Sequence, residues 1–368
     1  HIVMKFECVK DRFVDVLGKI ERITSKNQTL PVLSCVYLEA KENNVVLKST
    51  NLECGLEISV PAKVISPGSL AIPASVLLSF VNSIKDKNIT FEAKDGNLSI
   101  VTKHHTGTIK SLPHDDFPLI PKIDLKNTIA ISITSILKGL KSVWYSASTS
   151  TIKPELSSVY VYKSDNDLVF VSTDSFRLAE KKISLKGLKD IKPIIIPVKN
   201  VGDIIKTLDG GTEGIHVAFD KNQIAFSSPS TYLVSRIIDA TFPDYQQIIP
   251  KSFLTEVVVL KQDLIDTLKS LIVFSDKFHQ LNIKVEPEKK LLVLQSKNND
   301  VGESLSTLEG AVTGDSVDMN FNQRYVVDCL QSIEGDSVSL LFGGSMKPLV
   351  VRGISDPSFT YLVMPMNR

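Results

Sequence analysis

Val9-Lys10-Asp11-Arg12-Phe13-Val14-Asp15-Val16-Leu17 begins as the end of a strand and turns into an amphipathic helix, with Phe13 and Leu17 four residues apart on one face. The same strand-into-helix pattern returns at residues 132–140 (SITSILKGL) and 260–268 (LKQDLIDTL). A second helical pattern occurs at 73–84 (PASVLLSFVNSI), 197–208 (PVKNVGDIIKTL) and 322–333 (NQRYVVDCLQSI). Its apolar columns align as Leu77, Val201 and Val326, then Phe80, Ile204 and Cys329, then Ile84, Leu208 and Ile333. Strand patterns follow suit: Val46-Leu47-Lys48-Ser49-Thr50-Asn51 is matched by Val169-Phe170-Val171-Ser172-Thr173-Asp174, and more loosely by Val293-Leu294-Gln295-Ser296-Lys297-Asn298. All of these landmarks return a period of about 124 residues, the length of a domain and not of a solenoid turn.

The period divides the chain into three modules, 4–126, 127–250 and 251–368, with His1-Ile2-Val3 read as a non-native remnant ahead of Met4. Within the first module residues 38–45 (LEAKENNV) are echoed by 91–98 (FEAKDGNL), each a strand, a polar turn and a returning strand. A module is therefore two half-units, each an amphipathic helix with a few antiparallel strands. The predicted class is α+β, a layer of helices on a layer of sheet. Three like domains in series pack at a constant angle, which either closes a ring or winds a spiral.

Composition narrows the function. Of 368 residues, 43% are hydrophobic and 23% charged, with a net charge of +1, which excludes disordered, collagenous and coiled-coil chains. No apolar run approaches the ~18 residues of a membrane span, and no secretion signal follows Met4, so a cytoplasmic protein is expected. Cys8, Cys35, Cys54 and Cys329 form no CxxC pair and read as reduced, buried thiols. Phosphate-loop, dinucleotide, HExxH and GxSxG motifs are missing from the sequence. His104-His105, Asp115-Asp116 and Gly343-Gly344-Ser345 each fit a turn better than a catalytic group. An enzyme is thus disfavoured, and neither cofactor nor metal is expected. Over the six helical patterns cations exceed anions by five, leaving the rest of the chain at −4, a distribution that suits a polyanionic partner.

Four segments carry a resemblance: Leu30-Pro31-Val32-Leu33, Ser172-Thr173-Asp174-Ser175-Phe176-Arg177-Leu178-Ala179, Phe242-Pro243-Asp244-Tyr245 and Tyr361-Leu362-Val363-Met364-Pro365-Met366. In this order and spacing the sequence resembles the beta subunit of bacterial DNA polymerase III, the sliding-clamp family, from Met4 to its end. The resemblance implies a head-to-tail homodimeric ring of six domains, with sheets outside and helices around a pore that encloses duplex DNA without reading its sequence. It implies a tether, not a catalyst: a polymerase held on such a ring re-engages DNA at high effective concentration. The implied partners are double-stranded DNA, a second copy, the polymerase III alpha subunit, the clamp-loader delta subunit, and other polymerases and repair proteins bearing linear clamp-binding peptides. A non-encircling three-domain adaptor that binds peptides is the alternative.

The resemblance also implies three sets of residues. The peptide pocket takes Thr173, Ser175, Phe176, Arg177 and Leu178 from one segment and Pro243, Gln247 and Ile248 from the link after it. From the third module it takes Asn322, Tyr325, Met346 and Pro348, and then Leu362, Val363, Met364, Pro365 and Met366. Three of the five methionines fall here, as suits a surface that adapts to several peptides. Ser175 and Phe176 stand where Gly and His are common in the family, and Gln247 where Arg is common. DNA-facing candidates are Arg22, Lys26, Lys138, Lys141 and Lys153. At the dimer contact Ile109, on an edge strand, is expected to meet Ile272 and Val273 of the other copy.

Overall fold

In the computed structural model of the chain, residues 2–367 are described; the expected remnant at 1–3 falls partly outside them, while Ile2 lies opposite Lys94 in a strand pair. The six expected helices are present: α1 (Lys10–Arg22), α2 (Ala74–Ser83), α3 (Ile133–Val143), α4 (Val198–Leu208), α5 (Lys261–Leu271) and α6 (Gln323–Asp328). α6 is short. It passes into a 3-10 turn over Cys329–Ser332, so the pattern over 322–333 is not one continuous α-helix.

All six helices grow directly out of a strand, and the first amides of five are satisfied from a distant part of the chain. Lys10 donates to the Lys87 carbonyl (2.8 Å), Ile133 to Glu213 (3.1 Å), Val198 to Ser157 (2.9 Å), Lys261 to Asp336 (2.7 Å) and Gln323 to His279 (2.7 Å). An orphan amide at a helix start needs an acceptor, and here the neighbouring half-unit provides it. The helices bury the faces their periodicity predicts. Phe13, Leu17 and Ile20 of α1 are enclosed, and the Phe13 ring lies 4.6 Å from Phe91, itself stacked on Phe6 at 4.8 Å.

The strands form four antiparallel sheets, and the chain clusters into two compact units that cut across the second repeat. The unit built from residues up to Thr134 together with Lys199–Ile237 holds an eight-stranded sheet in which Cys54–Pro61 pairs with Thr231–Arg236. It also holds a five-stranded sheet that ends at Thr106–Lys110. The unit built from Ser135–Val198 and the residues from Ile238 onward holds a nine-stranded sheet in which Arg177–Ser184 pairs with Phe359–Val363. Its four-stranded sheet runs Gly302–Glu309, Leu291–Asn298, Gln280–Glu286, Val317–Asn322. Each large sheet joins strands of consecutive repeats, which is why compactness does not follow the sequence period.

The register locates the two exceptions. Leu47, Phe170 and Leu294 occupy equivalent places in the repeat and lie opposite Ile58, Lys181 and Ser306. Gly302–Glu309 is therefore the third-repeat counterpart of Cys54–Pro61 and Arg177–Ser184. By the same pairing Leu98, Ile224 and Leu349 lie opposite Ile109, Ser235 and Val363, so Thr106–Lys110 is the counterpart of Thr231–Arg236 and Phe359–Val363. The first-repeat and third-repeat members of these two sets, Thr106–Lys110 and Gly302–Glu309, are both sheet edges.

Candidate functional site

The segment from Thr173 to Arg177 folds as a tight loop closed by its own side chains. Thr173 Oγ1 donates to the Arg177 carbonyl at 2.6 Å, and Asp174 Oδ1 accepts the amides of Phe176 (2.9 Å) and Arg177 (3.0 Å). These bonds hold Ser175 at φ 77°, in the left-handed region that favours glycine. The first repeat builds the same loop: Thr50 Oγ1 donates to Cys54, Asn51 Oδ1 accepts from Glu53 and Cys54, and Leu52 stands at φ 73°.

Only the second-repeat loop carries an arginine at its end. Arg177 Nε donates to Asp174 Oδ2 (3.2 Å), Nη1 to Asp328 Oδ2 (2.6 Å) and Nη2 to the Tyr145 carbonyl (2.7 Å), while its guanidinium lies 4.2 Å from the Tyr325 ring centre. Fork-shaped donors matched to two carboxylates and one carbonyl fix the loop against α6. Asn322 caps α6 by accepting from Arg324 (3.0 Å) and Tyr325 (3.3 Å), and the Tyr361 hydroxyl donates to the Tyr325 carbonyl at 2.7 Å.

The C-terminal tail completes the site. The Met364 amide donates to the Phe176 carbonyl and the Met366 amide to the Asn320 carbonyl, both at 2.8 Å. Between these walls opens a cleft of ≈ 390 Å³ lined by Phe176, Asn322, Tyr325, Met364, Pro365, Met366 and Asn367. All but Asn367 belong to the set expected from the sequence. Beneath it Leu178 and Leu362 belong to a buried cluster against which Met364 packs. These two support the cleft without presenting surface, and Val363 and Pro348 are likewise buried. Thr173 is also buried, spent on closing its loop.

The remaining expected pocket residues lie outside the cleft lining. Phe242 stacks on Tyr160 at 4.6 Å and leaves Pro243, Gln247 and Ile248 exposed, with Gln247 donating to Asp244 (2.7 Å). Met346 is exposed on a turn, at φ 64°. Sequence reasoning missed Asn367, the last residue of the cleft lining.

The five candidate cations are all exposed. Arg22 ends α1 and donates to the Lys206 carbonyl at 3.4 Å, and Lys26 follows in the next loop. Lys138 and Lys141 lie on α3 and Lys153 in the loop beyond it. Lys138 is ion-paired with Glu334, a partner that helical charge counting does not reveal. Of the residues expected at the dimer contact, Ile272 and Val273 are exposed (51% and 65%), whereas Ile109 is 9% exposed. It faces its own core opposite Leu98, and the half-buried Phe80 of α2 packs against Gly107 of the same strand. Burial pushes the thiols of Cys8 and Cys54 up to about 12 and Cys35 up to about 11, so they stay protonated at neutral pH.

Comparison with known proteins covers almost the whole chain. Family models for the DNA polymerase III beta subunit match its N-terminal domain at residues 4–121, its central domain at 130–244 and its C-terminal domain at 246–367. A relative from Staphylococcus epidermidis named beta sliding clamp is 25% identical over 99% of this chain and 100% of its own. The solved DNA polymerase III beta subunit of Thermotoga maritima superposes with a TM-score of 0.92 at 25% identity, covering 99% of this chain and 100% of that one. That of Bartonella birtlesii, solved bound to griselimycin, gives 0.93 at 24% identity over 100% of both chains.

Proposed function

The chain belongs to the bacterial DNA polymerase III beta-subunit family and is a sliding clamp, a non-catalytic processivity factor; from that premise we propose how it closes, what it holds and what it carries. Three clamp domains, 4–126, 127–250 and 251–368, form a ring with those of a second copy. The observation that carries this is the pair of unmatched edges. Two of the three equivalent junctions are closed by strand pairing within the chain, and the third would be closed when Gly302–Glu309 of one copy meets Thr106–Lys110 of the other. The intrachain register (Gly55 opposite Val234, Leu178 opposite Leu362) transfers to Glu303 opposite Thr108, and then Leu305 opposite Thr106. Ile272 and Val273 next to one edge and the half-buried Phe80, packed against Gly107 of the other, supply apolar cover, and an edge so paired no longer templates aggregation.

Duplex DNA occupies the ring, held loosely by Arg22, Lys26, Lys138, Lys141 and Lys153 through phosphates only, which lets the clamp slide. The cleft takes linear peptides of the polymerase III alpha subunit, the loader delta subunit, and other polymerases and repair proteins; griselimycin on the Bartonella relative supports a ligand-binding surface in the family. The site of action is the cytoplasm, and no helix among the described residues is long and apolar enough to cross a membrane.

The test is a cysteine pair, Thr108→Cys with Glu303→Cys. Directly opposed strand positions lie close enough for a disulfide, so oxidation is expected to give a covalently closed dimer that stays on nicked circular DNA and leaves when the circle is linearised. A monomer that does not cross-link, or DNA retention indifferent to linearisation, would overturn the ring.

A further inference from the structure

Lys181 is 1% exposed, although it carries a charge and lies mid-strand. It stands opposite Phe170 on one side and Phe359 on the other, on the sheet face covered by α3, whose Gly139 rests on the Phe170 ring. Its ammonium donates to Ser358 Oγ at 2.6 Å and lies 3.6 Å from Asp356 Oδ2. Asp356 Oδ1 in turn accepts the Ser358 amide at 2.9 Å and the Ser358 hydroxyl. Burial pushes the lysine below its ordinary pKa, and the Asp356 carboxylate opposes that shift. An enclosed ammonium is tolerable only beside such a partner.

The equivalent positions elsewhere carry no such pair. Ser59 and Lys182, each one residue beyond Ile58 and Lys181, donate to the Ser230 and Ser358 carbonyls, both at 2.8 Å, so the first junction has Ile58 for Lys181 and Ser228 for Asp356. Thr102 donates to the His105 carbonyl as Ser228 does to Thr231, both at 2.9 Å, which makes Thr102 the counterpart of Asp356 beside the free edge Thr106–Lys110. On the other free edge, Ser306 opposite Leu294 is the counterpart of Lys181. Backbone donors and acceptors repeat from edge to edge and do not tell one from another. Charge does. Were Arg177–Ser184 to pair with Thr106–Lys110 of a second copy, Lys181 would be enclosed facing His105, with Thr102 in place of Asp356. Asp86, beside that turn, is already engaged by His104 through Nδ1 (2.7 Å) and the amide (3.2 Å). Were Phe359–Val363 to receive Gly302–Glu309, Asp356 would face Ser306. Each wrong pairing buries a charge without its counterion.

We infer that the Lys181–Asp356 pair decides which strand edges join: it commits Arg177–Ser184 to Phe359–Val363 of its own chain and bars both from the edges of a second copy. Gly302–Glu309 and Thr106–Lys110 are thereby left for each other. The inference rests on the reading of those two edges as the ring contact. A chain that exchanged a wrong edge would meet further copies without closing and would grow into open assemblies.

The experiment unfolds the intact chain in urea, refolds it at micromolar concentration and reads the mass distribution by light scattering after gel filtration. Lys181→Ile with Asp356→Ser gives the second junction the residues of the first. It is expected to put about three times as much protein as the wild type into assemblies larger than a dimer. Val351→Ala, which opens a cavity in the same sheet, controls for lost stability and should not reproduce that excess. No excess in the double variant, or an equal excess in Val351→Ala, overturns the pairing role. Should the double variant not fold, Lys181→Met with Asp356→Asn is judged by the same criterion. A wild-type chain that is monomeric before unfolding would instead overturn the ring itself.

Discussion

Arg177 Nη1 donates to Asp328 Oδ2 at 2.6 Å, joining residues 151 positions apart and fastening the second-repeat loop to the helix that walls the cleft. The third repeat therefore shapes a site whose loop belongs to the second. The arginine side chain is 10% exposed and the aspartate 38%, so the pair keeps contact with water on one side.

Arg177→Ala would leave Asp174 and the Tyr145 carbonyl without their donor. It is expected to lower stability by about 2 kcal/mol, less than for a fully buried pair because Asp328 is partly solvated. It should also weaken peptide binding, and Arg177→Lys should restore little, since one ammonium cannot span three acceptors. Urea unfolding with an unchanged slope, alongside peptide titration, checks both.

Ser175→Gly should stabilise the protein by roughly 0.5–1 kcal/mol, because φ 77° strains any residue with a Cβ. Ser175→Ala should give no such gain. A thermal midpoint raised only by the glycine variant is the expected result; equal midpoints would mean that the loop relaxes without strain.

Met364→Ala is expected to reduce peptide affinity by about 1–3 kcal/mol while the dimer persists, since Met364 lines the cleft and packs on the cluster containing Leu178 and Leu362. Calorimetric titration and sedimentation on the same sample separate the two effects. Undiminished affinity would move the pocket elsewhere.

Ile272→Asp with Val273→Asp should produce monomers that still bind peptide, because both side chains are already exposed in the single chain and their loss costs the fold little. Sedimentation at micromolar concentration reads the mass. Ile109→Asp is a poor substitute, since it would bury a charge beside Leu98 and unfold the five-stranded sheet.

The helices were legible because they depend on local pattern, whereas the cleft residues were expected only through the resemblance to the family. Phe13 and Leu17 set a face at helical spacing, and the Thr-Asp loop closes with side chains two to four residues away. The left-handed backbone of Ser175 was not legible, since a serine there does not announce it; its repetition at Leu52 appears only in three dimensions. The outward or inward direction of Ile109 and Leu178 was equally hidden, because a strand residue's exposure is decided by what lies on that face. Lys138 was expected among the DNA-facing cations, and that Glu334, from another repeat, is ion-paired with it appears only in three dimensions.

By itself the sequence determined the threefold period, the α+β class, the six helices and the family, all of which rest on spacing along the chain. Tertiary structure alone decided which strands end unpaired, and which expected pocket residues line the cleft and which lie beneath it. Periodicity states which side of an element is apolar, whereas pairing and enclosure depend on residues more than a hundred positions away, such as Asp328 for Arg177.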